Sequence, residues 1–315
     1  MSRKRKAKQN KFLSLVNPLT ALLLVAVIVL SVSVISLYSK LNKELPEHAA
    51  VYGNTQQLEA VKEGEWVHLS NYTLGDIAIP AAVGAQKCTY DTDNIITDDN
   101  GFKHYYIDNE LRSYVGIDVS QYNVRIDWDA VKACGVDFVM IRIGGRGYGE
   151  SGVMYSDDSL ISNLKGAKAA GLDVGGYFFS QARTVDEAKE EARYALKLLK
   201  GHKLDYPLAF DWEIVDSADS TRIDSVTPEM LTDCARAFCD TVSSRGYIPA
   251  IYAGEELVYY KYNLAKLADI DLWYAKYSDT PTMYYNYMMW QYSSTGKVDG
   301  ITGDVDLNIC FKNYK

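Results

Sequence analysis

Two acids flank one tryptophan in "LAFDWEIVD", residues 208–216, at the end of an otherwise apolar run. Side chains two apart on a strand share a face, so Asp211 and Glu213 project together, with Cα atoms about 6.5 to 7 Å apart. Phe210 and Trp212 take the opposite face. The plain alternative is a strand end whose acids sit in solvent. The sharper reading is a carboxylate pair working on a bond held between them. One carboxylic acid protonates a leaving oxygen, and a negative partner steadies the charge that develops. A neighbouring anion is expected to raise the pKa of the acid and keep it protonated near neutral pH. Further acids recur at strand-like stretches, Asp118 in "YVGIDVS" and Asp304 and Asp306 in "DVDLNI". Carboxylates and aromatics without metal ligands suit glycosidic bond cleavage.

The elements that must position these residues alternate from Val115 onward. Strand-like "YVGIDVS", "DFVMIRIG", "DVGGYFFSQA" and "PLAFDWEI" are separated by helix-like "DWDAVKACG", "LISNLKGAKAAG" and "DEAKEEARYALKLLKG". "PEMLTDCARAFCDTVSSRG" carries a Thr227 cap, Pro228 at the first helical position and a stop at Gly246. Strands follow in "YIPAIYAG", "DLWYAKY", "YMMWQYSS" and "DVDLNI", with little helix between the last ones. The pattern predicts an α/β fold, a modified (β/α) barrel with irregular last strands, over 113–315. Active sites of such barrels lie at the C-terminal strand ends. That rule gathers Asp118, Arg142, Tyr177, Asp211, Glu213, Tyr252, Trp273, Tyr277, Trp290, Gln291, Asp304 and Asp306 at one rim.

Upstream the chain changes character. Residues 1–16 hold six Lys and Arg and no acids, leaving 27 basic against 41 acidic residues in the remainder, a net of −14. An acidic body argues against nucleic acid as a partner. Residues 19–38, "LTALLLVAVIVLSVSVISLY", carry no charge and would form a helix of about 30 Å, enough to cross a bilayer. The expectation is a transmembrane helix over 17–38, opened by Pro18, with the N-terminus cytoplasmic and the rest outside on the cell-wall side of the membrane. The rival is a cleaved signal peptide, for which the run is long and Ser31-Val32-Ser33 a weak cleavage site. Residues 39–60 read as a stalk. Residues 61–112 read as a small β-rich module outside the cleft, with Asn100-Gly101 marking a hairpin. Five cysteines and four histidines lack zinc-like spacing, so no metal or cofactor is expected, and the thiols read as buried and inert.

"GIDVSQYNVRIDWDAVK", "FVMIRIG", "GGYFFSQA", "LAFDWE", "LWYAKY" and "WQYSSTGKVDGITGDVDLN", in that order over residues 114–315, resemble glycoside hydrolase family 25, lysozymes of bacterial and phage origin. The resemblance implies a modified β/α barrel that cleaves the β-1,4 bond between N-acetylmuramic acid and N-acetylglucosamine in peptidoglycan. It makes Glu213 the general acid and Asp211 its neighbour that steadies charge or orients the substrate's acetamido group. Asp118 and Asp306 are then the third and fourth acids of the site. The base or nucleophile stays unassigned, and a route assisted by the acetamido group fits. Tyr177, Arg142, Tyr252, Trp273, Trp290 and Gln291 are the expected substrate contacts. The chain departs from the family where a glutamine-glycine pair usually follows the first-strand serine, here "SQYNV", and where Tyr-His-Phe is replaced by Tyr177-Phe178-Phe179. A family-18-like chitinase would need other residues at Ala209 and Tyr206. A non-catalytic glycan-binding module would be marked by a lost carboxylate, and all are present. An anchored scaffold with an inactive barrel would differ only in activity.

Overall fold

The computed structural model describes residues 66–71, 75–215 and 222–315. The basic head, the expected membrane span 17–38 and the stalk lie outside the described residues. Among those that are described, no helix is long and apolar enough to cross a membrane.

The described residues begin with an antiparallel strand pair, β1 (Trp66–Asn71) and β2 (Gly75–Pro80). A three-stranded sheet follows, β3 (Ile95–Thr97), β4 (Lys103–Ile107) and β5 (Glu110–Leu111). The Asn100-Gly101 turn falls between β3 and β4 as the sequence predicts, and Asp98 closes it by accepting from the backbone N–H of Asn100 and Phe102.

The main sheet then begins with β6 (Tyr114–Val119), α1 (Trp128–Ala133), β7 (Phe138–Arg146) and the short β8 (Met154–Ser156). It continues through α2 (Leu160–Ala169), β9 (Asp173–Ser180), α3 (Val185–Leu199), β10 (Leu208–Trp212) and α4 (Pro228–Ser243). It ends with β11 (Pro249–Gly254), β12 (Asp271–Ala275), β13 (Met289–Gly296) and β14 (Val305–Cys310). Seven strands run parallel in the order β6, β7, β9, β10, β11, β12, β13. β14 slots between β13 and β6, antiparallel to both, and closes the barrel. The irregular ending expected from the thinning helices is this reversed strand.

Local chemistry fixes the helices. Thr184 and Thr227 accept from the third backbone N–H of α3 and α4, and Pro228 sits where α4 has no use for an N–H. Gly246, with φ of 82°, takes the left-handed turn that follows α4. Inside the barrel Phe138, Met140, Tyr206 and Trp273 fill the floor. Bulk there demands its opposite nearby: a Cβ on Gly116 would lie 2.0 Å from the Phe138 ring, and one on Gly175 would lie 2.3 Å from Met140 Sδ. Between barrel and helices lies the larger apolar layer, with Ala188, Ala192 and Ala195 of α3 facing Phe178 and Phe210 across it.

No α-helix follows β11 among the described residues; short helical turns at Leu257–Lys261 and Leu264–Leu267 take its place. That side is covered from upstream. Tyr90 stacks on Phe311 at 4.2 Å and meets Tyr287 edge-on, while Tyr105 meets Phe311 at 5.3 Å. Cys88 N–H donates to Tyr284 O and Asn286 N–H to Gln86 O, each at 2.8 Å. Buried Lys103 donates to Asp279 O at 2.9 Å and lies over the rings of Trp290 and Tyr292. Residues 81–112 thus cover the barrel on the side where helices are missing. The thiols are free, with Cys234, Cys239 and Cys310 buried and Cys88 and Cys134 partly so.

Candidate active site

Alternation along each strand carries one set of side chains to the barrel's mouth. Asp118 lies one residue before the end of β6, and Asp211 one residue before the end of β10. Glu213 follows directly after β10. Its position is fixed by neighbours on the chain leaving β9: Gln181 Nε2 donates to the main-chain O of Glu213 at 2.9 Å, and Trp212 Nε1 donates to Ala182 O at 3.1 Å. Asp306 sits at the start of β14, yet joins the same end because that strand runs backwards, with Asp306 opposite Asp118 in the ladder. Strand direction thus brings all four expected carboxylates together.

Asp118 is buried and held from two sides. Gln291 Nε2 and Asn308 Nδ2 each donate to its Oδ2 at 2.8 Å. Tyr252 hydroxyl donates to Gln291 Oε1, and Trp273 Nε1 donates to Asn308 Oδ1, both at 2.8 Å. Two relays, one ending in a tyrosine and one in a tryptophan, so fix the carboxylate's orientation. Burial raises its pKa well above the usual carboxylate range, with Asp306 adding to the rise and the two amide donors opposing it.

Asp211, 3% exposed, has one oxygen, Oδ1, without a hydrogen-bond partner. Its carboxyl lies beside that of Glu213 and interacts with it electrostatically. Burial, then the Glu213 charge, lifts Asp211 far above its ordinary pKa, against the pull of Arg142. Burial also raises Glu213. The two carboxyls titrate as one unit. Burial raises Asp306 to about 6, with the Glu213 charge contributing.

The other expected residues divide. Arg142 lies in the barrel mouth, where β7 slips register between Arg142 and Gly144. Its Nε donates to the buried Asp157 Oδ2 at 2.8 Å, and its guanidinium lies over the exposed Tyr122 ring at 4.8 Å. Tyr177 and Tyr252 line the interior with rings edge-on to Trp273. Tyr277 is 58% exposed at the mouth. Trp273 and Trp290 are not presented to a ligand. Trp273 is buried beneath the acids as a support for Asn308. Trp290 points into the outer apolar layer, is 0% exposed and donates its Nε1 to Lys276 O. It alternates with Gln291, so one of the two must face out. Asp304 is exposed and paired with Lys297.

Asn308, Gln181, Asp157 and Tyr122 were missed by sequence reasoning. Asn308 was within reach, since it is two residues from Asp306 on the same strand and shares its face. Gln181 and Asp157 act from loops, where no periodicity reveals direction.

A closed barrel that gathers four carboxylates and an array of tyrosines at its mouth is the equipment of an enzyme that cleaves glycosidic bonds by proton transfer. The chain belongs to the Glycosyl hydrolases family 25, whose sequence pattern matches residues 117–301. It is 30% identical over 195 residues to an autolytic lysozyme of Clostridium acetobutylicum, covering 61% of this chain and 54% of that protein. It is 25% identical over 216 residues to Lysozyme M1 of Streptomyces globisporus, covering 61% and 66%. The chain thus spans about half the length of the autolytic lysozyme. Its fold matches the modular autolysin LytC from Streptococcus pneumoniae, solved with a synthetic peptidoglycan ligand, at TM-score 0.55 and 22% identity over 78% of this chain and 56% of that one. A family 25 glycosyl hydrolase from Bacillus anthracis matches at TM-score 0.53 and 22% identity, over 67% and 93%.

Proposed function

We propose that this chain is an N-acetylmuramidase that hydrolyses the β-1,4 bond between N-acetylmuramic acid and N-acetylglucosamine in peptidoglycan. The observation that carries the reading is the unpartnered Asp211 Oδ1, buried beside Glu213 at the barrel mouth. A buried carboxyl oxygen without a donor is costly unless a ligand supplies one. The acetamido N–H of an N-acetylated sugar is such a donor. Held there, the acetamido carbonyl oxygen is turned toward the anomeric carbon, and Glu213 delivers the proton to the leaving oxygen. Negative charge shared between Asp306 and its neighbour Asp118 offsets the positive charge that develops on the ring. Tyr277, exposed at the mouth, offers a face for a sugar ring.

The same reading places the enzyme outside a membrane, held by residues 17–38 with the basic head in the cytoplasm. It rests on the uncharged run and the six positive charges before it. Fractionation of expressing cells tests it: a shortened, soluble product in the medium would remove the anchor.

The activity is tested by turbidity clearing of purified cell walls. Glu213→Gln keeps shape and hydrogen-bonding reach but delivers no proton, so clearing should fall by about 10²-fold or more while wall binding persists. Clearing near the parental rate would end the proposal.

A further inference from the structure

A groove of about 1280 Å³ runs between α3 and α4 on the outer helical layer, away from the barrel mouth. Its lining is strongly one-signed. Lys189, Arg193, Lys197, Lys203, Arg236 and Arg245 face it, against Asp233 and Asp240. Lys189, Arg193 and Lys197 are spaced four apart on α3 and form a row with a rise of about 6 Å per step. The opposite stripe of α3, including Ala188, Ala192 and Ala195, is buried against the barrel, so the row cannot turn inward. Arg236 already pairs with Asp240 and Asp269, and Asp233 with Lys266. Among the described residues, Lys189, Arg193, Lys197, Lys203 and Arg245 have no acidic side chain within ion-pairing distance. Both acids in the groove are thus engaged, and five cations remain unmatched, on a protein of net charge −8. Like charges on one helix face repel at four-residue spacing, so the row costs the free protein stability that a polyanion would restore.

We propose that the α3–α4 groove binds a linear phosphate polymer. The shape favours a strand over a flat anionic bilayer, which cannot enter a cleft. Of the lining side chains only Tyr247 is aromatic, and its hydroxyl is donated to His202 O. The groove therefore lacks the stacking platforms that single-stranded nucleic acids use. The mode of recognition is charge along a track, with no base or sugar reading required. It is independent of the hydrolytic site and survives if that site acts on another glycan.

The test uses the full chain in detergent, inorganic polyphosphate as the probe, and calorimetric titration across a salt series. Binding should weaken with salt on a log–log slope of about −3, as about four phosphate contacts imply for a single strand. The triple variant Lys189→Glu, Arg193→Glu and Lys197→Glu should lose binding at least tenfold. A triple change of equal charge elsewhere, Arg112→Glu, Lys165→Glu and Lys297→Glu, should retain it. Lys189→Arg with Lys197→Arg should also retain it, which separates lost charge from lost fold, and thermal melts check each variant. No binding to wild type, or equal loss in both charge-reversed triples, would overturn the proposal. Tighter binding of an oligodeoxythymidine strand than of polyphosphate would reassign the groove to nucleic acid and equally overturn it.

Discussion

Asp306 stands directly opposite Asp118 across the ladder that joins the last barrel strand to the first. Two acids on one face of adjacent strands repel, and burial strengthens the repulsion. Only the reversal of β14 allows the pairing, because a parallel last strand would carry Asp306 to the far end of the barrel.

The burial of Asp306 has a measurable cost. Asp306 is raised from 3.8 to about 6 by burial and by Glu213. A carboxyl raised in this way holds its proton more tightly folded than unfolded. Its contribution to stability is therefore fully present at acid pH and is lost as pH rises from about 4 to about 6. Asp306→Asn should melt at a higher temperature than wild type at pH 7, and the difference should vanish near pH 4. Calorimetry at both values checks the sign, and a lower melting temperature for the variant at pH 7 would refute it. Wall clearing should fall in the same variant.

Val124 sits at φ 48° and 85% exposed, in the segment "SQYNV" where the family usually places a glycine. A β-branched residue at positive φ is strained, by about 1–3 kcal/mol. Glycine relieves that strain and gives back about 0.5–1 kcal/mol in unfolded-chain entropy. Val124→Gly should thus gain about 1 kcal/mol of stability in denaturant unfolding. An unchanged or lowered midpoint would show that the backbone is not strained there.

Removing residues 39–112 is expected to destroy the barrel's solubility. The truncation uncovers Tyr287, Tyr292 and Phe311, rings that Tyr90, Phe102 and Tyr105 now help bury. Size-exclusion chromatography and tryptophan fluorescence should report aggregation or partial unfolding. A monodisperse, fully active fragment beginning at residue 113 would show that this covering layer is dispensable.

Much of the barrel was legible because its evidence is periodic. Alternation told which residues of "LAFDWE" face inward, and Asp211 and Glu213 do share one side. The same rule, applied strictly, would have turned Trp290 outward once Gln291 was placed inward, and would have added Asn308 beside Asp306. What was not legible depends on contacts distant in sequence. Nothing near Tyr90 or Lys103 announces that their partners are Phe311 and Asp279. Nor does "DVDLNI" state its own direction, on which the placement of Asp306 rests. How deeply Asp211 and Glu213 are buried also depends on packing, which strand spacing alone does not give.

The antiparallel insertion of β14 between β13 and β6 also sets a timetable. The sheet cannot close, and Asp118 cannot receive Asn308, until the last barrel strand in chain order has been made and has returned to the first. Pairing between such distant segments is slow relative to local helix formation. A ribosome still completing this chain, or a pore still threading it, therefore carries a barrel whose acids are not yet assembled. Assembly of the four acids waits on β14, and every premature stop before that strand yields a protein without the assembled site.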